Sequence, residues 1–230
     1  MQRKQPGTGE WFIRSPEFNE WRVNGGFLWL SGIPGAGKTI ISSTIIASLL
    51  KQIEGSSTIV VYAYVDFTSD TQQQPESVLR SFLAQLSGQN QDALSALQNL
   101  HKQCIQRGSE EPTPEELLSV TLSSFEALTR VYAIVDGLDE CLDRATLIRF
   151  LKDVQSLPNV SLLALSRNEP DIANGLRGYA NMVPLEGPEV DRDIMAYIGQ
   201  RIGDSEYMQE WDEEVRCKVE TKLTGLAGGM

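Results

Sequence analysis

The sequence predicts an α/β fold, a parallel sheet with helices on both faces, and three observations predict it. Short apolar runs of strand length alternate with longer stretches whose apolar residues recur at helical spacing. Two of the runs, Phe27-Leu28-Trp29-Leu30 and Val131-Tyr132-Ala133-Ile134-Val135, are apolar or aromatic throughout, as strands covered on both faces are. Each empties at its C-terminal end into residues that carry chemistry, and that is the end at which open α/β sheets bind ligands.

In chain order, residues 1–25 read as a loop-rich leader with Gly7, Gly9, Pro16 and Gly25. The leader also holds Trp11, Phe12, Phe18 and Trp21, whose simplest use is docking on the core. After the Phe27–Leu30 strand comes Gly32-Ile33-Pro34-Gly35-Ala36-Gly37-Lys38-Thr39, which fits a phosphate-binding loop at every fixed position. The pattern is Gly, four free positions, then Gly-Lys-Ser/Thr. Its glycines let successive N–H groups point into a nest around a triphosphate. Lys38 can reach the β- and γ-phosphate oxygens, and the Thr39 hydroxyl can hold Mg²⁺. Ile40 follows in a helix predicted over Thr39 to Leu50, which sets a helix N-terminus under the phosphates. Gly32, Pro34, Gly35, Ala36, Gly37, Lys38, Thr39 and Ile40 therefore form the candidate nucleotide-binding set, with ATP and ADP as ligands and GTP and GDP beside them.

Thr58 to Val65 is β-rich. From Pro75 the residues Val78, Leu79, Phe82, Leu83 and Leu86 fall on one helical face. Residues 90–112 are polar and Gln-rich, read as a helix and a loop near Gly108 to Pro112. Thr113-Pro114-Glu115-Glu116 is a capping box that opens a helix through Leu117, Leu118, Leu122 and Phe125. The Val131 strand then ends in Asp136-Gly137-Leu138-Asp139-Glu140. Asp136 at the strand end suits Mg²⁺ held through its water shell, and Glu140 is placed to polarise an attacking water. The competing reading of this segment is a solvated acidic turn. Ser161 to Ser166 is another strand, followed at once by Arg167, a cation able to touch a γ-phosphate; in isolation an Arg there is more often a surface residue. A short linker leads to a fifth strand at Asn181 to Leu185, a helix around Ile194, Met195, Tyr197, Ile198 and Ile202, and a charged helix from Glu206 to about Leu223.

Composition narrows the function. The chain has 230 residues, 41% hydrophobic and 22% charged, enough for an ample core. Its net charge of -11 and the lack of a Lys/Arg cluster argue against a nucleic-acid backbone as partner. Cys104, Cys141 and Cys217 are odd in number and widely spaced, which fits reduced cytoplasmic thiols rather than a disulfide framework or zinc site. His101 lies in a polar helical stretch and reads as a surface residue. No apolar run approaches a membrane span, and the polar start is not a secretory signal.

Taken together, Trp11 with Ser15-Pro16-Glu17-Phe18, Leu28 to Thr39, Asp136-Gly137-Leu138-Asp139-Glu140-Cys141 and Ser166-Arg167 resemble a NACHT domain. The likeness is to the fungal branch of NOD-like receptor proteins, within the STAND class of regulatory P-loop NTPases. It implies a three-layer sandwich with strand order 5-1-4-3-2. It implies a switch that is ADP-bound and closed at rest, ATP-bound and oligomeric when engaged. Asp136 matches its Mg²⁺ residue and Glu140 its water-activating residue, with Asp139 as a less favoured substitute. Arg167 matches its first sensor, and the backbone from Thr8 through Trp11 to Phe12 is where the base would rest. Leu226-Ala227-Gly228-Gly229-Met230 resembles the opening of the next helical subdomain, whose lid normally grips ADP through a His. The expected organisation is a leader over 1–25, a nucleotide-binding core over 26–205 and the start of that subdomain over 206–230. Without a lid, nucleotide should exchange readily and the piece should be monomeric or weakly associating.

Three function classes stay open at this point: a slowly hydrolysing regulatory NTPase, a nucleotide-gated scaffold with negligible turnover, and a P-loop kinase. The last usually needs an arginine-rich lid rather than the Asp136/Asp139/Glu140 cluster. The chain lacks the Asn/Thr-Lys-x-Asp string that reads guanine in small GTPases, which favours ATP.

Overall fold

Five strands, β1 (Gly26–Ser31), β2 (Thr58–Tyr64), β3 (Arg130–Asp136), β4 (Val160–Ser166) and β5 (Asn181–Pro184), pair in parallel in the order β2-β3-β4-β1-β5. This is the expected order 5-1-4-3-2 read from the opposite edge. The structure is a computed structural model, and it describes residues 7–53, 58–66, 72–109, 111–204 and 211–227. The helices are α1 (Glu10–Ile13), α2 (Pro16–Asn24), α3 (Lys38–Ile53), α4 (Pro75–Ser87), α5 (Gln91–Gln106), α6 (Pro114–Glu126), α7 (Arg144–Gln155), α8 (Pro170–Leu176), α9 (Pro188–Asp204) and α10 (Glu213–Ala227).

The period-two alternation of strand side chains sorts the core into two layers. Trp29, Val61, Ala133, Val135, Leu162 and Ala164 face a layer built from α4 to α8, where Phe82, Phe125 and Phe150 are fully buried. Leu28, Leu30, Val60, Ile134, Leu163 and Leu165 face α3 and the leader, through Ile41, Ile45, Leu49, Phe12, Phe18 and Trp21. β4 is buried at every residue, its two serines included, because helices cover both faces of the sheet there. Edge strand β2 is covered at Tyr62 by the Gln85 amide of α4, which donates to the carbonyl at 2.6 Å and accepts the N–H at 3.1 Å.

Two expectations need correction. Over its described residues, 7–25, the leader is mostly helical rather than loop-rich, because the residues that signal a loop serve as caps. Gly9 (φ 74) starts α1, Ser15 accepts the Phe18 N–H at 3.1 Å beside Pro16, and Gly25 (φ 77) ends α2. The exposed end of α2 is anchored by Arg130, which donates to the Arg22 carbonyl at 2.7 Å, and by the Tyr132 hydroxyl at 2.9 Å. The linker after Arg167 contains α8, whose buried Ile172 and Leu176 are four residues apart. It is too short to show a helical period in the sequence. The Thr113–Glu116 capping box is present, and Arg107 clamps the Glu116 carboxylate, holding its pKa down at about 2. The charged helix begins at Glu213; residues 206–210 of the expected span, like 1–6 and 228–230, lie outside the described residues.

Candidate functional site

The candidate residues gather at the C-terminal ends of β1, β3 and β4, three adjacent strands. β1 runs into the loop at Gly32, whose N–H still donates to Ser166 at 3.1 Å and so continues the pairing with β4. A Cβ on Gly32 would meet the Ala36 Cβ at 3.1 Å and the Leu185 Cβ at 3.2 Å, a tight fit that a glycine relieves where the loop packs against the residue after β5. Gly35 (φ 83) and Gly37 (φ 78) take the left-handed conformation that turns the loop N–H groups inward. Lys38 opens α3 and folds back over the loop, donating from Nζ to the Gly32 carbonyl at 2.7 Å and the Ile33 carbonyl at 2.9 Å. Partial burial lowers its pKa, and the Asp139 charge opposes that shift.

Asp136 ends β3 between Tyr64 and Leu165 of the flanking strands and is 4% exposed. Burial pushes its pKa up to about 6, against the Thr39 hydrogen bond and the Lys38 charge, which pull it down. Gly137 (φ 82) makes the sharp turn that follows. A Cβ there would stand 2.5 Å from the Val65 carbonyl oxygen, which makes glycine the residue this corner requires. Leu138–Glu140 then forms a 3-10 turn, closed by the Glu140 N–H on Gly137 at 2.8 Å. The turn is not a solvated acidic one. Asp139 is buried and bound by Arg167 twice, accepting its backbone N–H at 3.0 Å and facing its Nε at 3.2 Å. Glu140 is half-buried, and its charge acts on both Lys38 and Asp136.

One linkage has no signal in the sequence. The Trp29 indole donates to Ser166 Oγ at 2.8 Å, and Ser166 donates to the Arg167 carbonyl at 2.8 Å. This buried relay fixes the backbone of Arg167 while Asp139 fixes its side chain. Arg167 is half-exposed and divides two clefts. One, of about 600 Å³, lies between the loop, β5 and the start of α9; the other, of about 730 Å³, is lined by Asp139, Glu140 and Arg144. The leader residues separate in role. Phe12 as a whole is 1% exposed and belongs to the core, so the structure does not present it to a ligand. Trp11 is half-buried, edge-on to Phe12 with ring centroids 5.6 Å apart.

The residues present fit Mg²⁺. Among the described residues there is no cluster of three or more His, Cys, Asp or Glu side chains arranged for a metal. Mg²⁺ beside a nucleotide does not need one, since it keeps several waters and takes one or two protein oxygens. The Thr39 hydroxyl and the buried Asp136 carboxylate, hydrogen-bonded together, are such a pair, and the raised pKa of Asp136 marks a charge that a cation would compensate.

A phosphate loop opening a helix, with an acidic strand end beside it on a parallel sheet, defines a P-loop NTPase domain. Residues 7–167 match the family model described as Nephrocystin 3, N-terminal, and the chain belongs to that family. The domain is NACHT-like, as its motifs suggest. It is similar to the vegetative incompatibility protein HET-E-1 of Podospora anserina, 23% identical over 230 residues that cover 95% of this chain and 17% of that protein. It also resembles origin recognition complex subunit 1 of Cricetulus griseus, 33% identical over 89 residues, 39% of this chain and 10% of that one. The chain thus spans a small part of both relatives. Among solved structures, the Aeropyrum pernix ORC1 protein in complex with DNA superposes with a TM-score of 0.55 at 15% identity, covering 86% of this chain and 50% of that one. That likeness establishes the fold.

Proposed function

We propose that this domain is a regulatory switch that binds ATP with Mg²⁺, hydrolyses it slowly, and uses the bound state to control self-association and signalling. The protein carrying it would be a receptor of the innate-immunity or incompatibility type. The observation that carries the reading is the convergence of Lys38, Thr39, Asp136, Glu140 and Arg167 on the ends of three neighbouring strands. Lys38 exchanges its loop carbonyls for the β/γ-phosphates, a better partner for an ammonium. When bound, Mg²⁺ neutralises phosphate charge from the Thr39 and Asp136 side. Glu140 polarises the attacking water. Asp139 is already occupied, so its role is to hold Arg167 toward the γ-phosphate rather than to act as base. We place the division of the chain at 1–25, 26–205 and 206–230. The odd, widely spaced cysteines support a cytoplasmic setting and the acidic charge a partner other than nucleic acid, and among the described residues no helix is long and apolar enough to cross a membrane.

Phosphate release from purified protein with Mg²⁺-ATP and, separately, Mg²⁺-GTP tests this, with Lys38→Ala as control. Turnover that disappears in the control supports the NTPase. Tight binding without release supports the nucleotide-gated scaffold, in which Asp139 serves only to hold Arg167.

A further inference from the structure

The leader and the helix after β5, 184 residues apart in sequence, meet at one carboxylate. Asp193 of α9 accepts through Oδ2 both the Gly9 N–H at 2.6 Å and the Trp11 indole N–H at 3.1 Å. Hydrogen bonds to an ionised acceptor are the stronger kind. Gly9 is itself pressed against the helix that leaves the phosphate loop. A Cβ there would stand 3.0 Å from Thr44 Oγ1 and 3.3 Å from the Ile41 Cα, and Thr44 donates to the Thr8 carbonyl at 3.1 Å.

α9 meanwhile turns Val190, Asp191 and Ile194 toward the cleft beside the loop. The same helix thus lines the cleft with one face and grips the leader with another. It is aimed by Gly187 (φ 102), around which a Cβ would meet nothing within 4 Å. A glycine joint in open space is where a helix can swing. A swing of α9 away from the leader must break both hydrogen bonds at Asp193.

We propose that Asp193 is a latch, a positioning residue that ties the leader to α9 across the nucleotide site and sets how slowly nucleotide leaves. The inference rests on the nucleotide-binding reading above. With the latch closed, the first turns of α9, which line the cleft beside the loop, are held to a leader that is itself packed on α3, the helix leaving that loop. With it open, the leader keeps its contacts to α3 while α9 loses these two hydrogen bonds to it. Affinity differences of this kind appear mostly in the off-rate.

The test is displacement of mant-ADP by excess ADP in stopped flow, on the parent chain, Asp193→Ala, Asp193→Asn, Trp11→Phe and the Trp11→Phe/Asp193→Ala double variant. Asp193→Ala should release mant-ADP about tenfold faster than the parent, the scale of losing hydrogen bonds to a charged group. Asp193→Asn, which keeps an accepting oxygen, should recover part of the parent rate. Trp11→Phe should accelerate release by less, and the double variant should be no faster than Asp193→Ala, because one bond is removed twice. Circular dichroism identifies any variant that fails to fold, and Asp193→Asn and Trp11→Phe carry the test if Asp193→Ala does so. Release from folded Asp193 variants at the parent rate, or independent multiplication of the Trp11 and Asp193 effects, overturns the latch while nucleotide binding stands. Failure of the parent to bind mant-ADP overturns the nucleotide reading itself.

Discussion

Asp136→Asn should make the ligand-free protein more stable and its nucleotide complex weaker. In the folded chain the Asp136 carboxyl holds its proton to about pH 6, against an ordinary 3.8, chiefly because burial penalises the charged form. A folded-state pKa raised above the unfolded one means that the native protein binds the proton more tightly. The stability this contributes is fully present below pH 3.8 and is lost as pH rises through about 6. At neutral pH the ionised carboxylate therefore costs the apo fold about 3 kcal/mol relative to its protonated form. Asparagine removes the charge and keeps an acceptor for Thr39, but its new N–H groups give back about 1 kcal/mol if unpaired. A net gain of about 2 kcal/mol corresponds to roughly 4–8 °C in melting temperature for a domain of this size. The assay is thermal and urea unfolding of parent and variant without ligand near pH 5 and pH 7.5, repeated with Mg²⁺-ATP. The parent should lose stability relative to the variant between those pH values, and Mg²⁺-ATP should stabilise the parent more than the variant. A variant that is no more stable than the parent at pH 7.5, with the same pH dependence, would refute the argument that burial strains this carboxylate.

The other expectations follow from single contacts. Lys38→Ala should abolish stabilisation by Mg²⁺-ATP while leaving the apo melting temperature within a few degrees, since Nζ bonds only carbonyls that water can serve; thermal shift with and without nucleotide measures both. Glu140→Gln should keep ATP binding and slow phosphate release roughly 10²-fold or more, read in single-turnover assays, and unchanged release would move the base elsewhere. Gly137→Ala should destabilise the fold by about 2–5 kcal/mol in urea unfolding, because it combines a left-handed φ with a 2.5 Å approach to the Val65 carbonyl.

The parts of this structure legible in the sequence are those whose signal is local. The middles of β1, β3 and β4 are largely apolar because helices cover both faces of the sheet, and the phosphate loop is recognisable because its turns demand glycine at fixed places. The capping box of α6 spans four residues and is equally plain. Strand order was not legible from spacing and came only with the family likeness. What escaped depends on distant residues. Nothing near Asp193 announces that its carboxylate meets Gly9, and nothing near Asp139 shows that Arg167 occupies it. The leader was misread because Gly9, Ser15, Pro16 and Gly25 are boundary residues, and boundaries spaced this closely resemble a loop.

The sheet order has a consequence for biosynthesis. β1 carries the phosphate loop, yet its two neighbours are β4 and β5, and Gly26 pairs with Ser161. At ribosomal speeds of about 5–20 residues per second, the loop's strand waits roughly 6–26 seconds for its first partner. During that wait Phe27, Leu28, Trp29 and Leu30, all buried in the finished domain, have no sheet to join, and both edges of the strand are open. β2 and β3 pair without β1 and can form first. The nascent chain carries Phe27 to Leu30 without sheet partners until β4 has been made. Holding chaperones should engage it between β1 and β4, and truncations ending before Ser166 should aggregate.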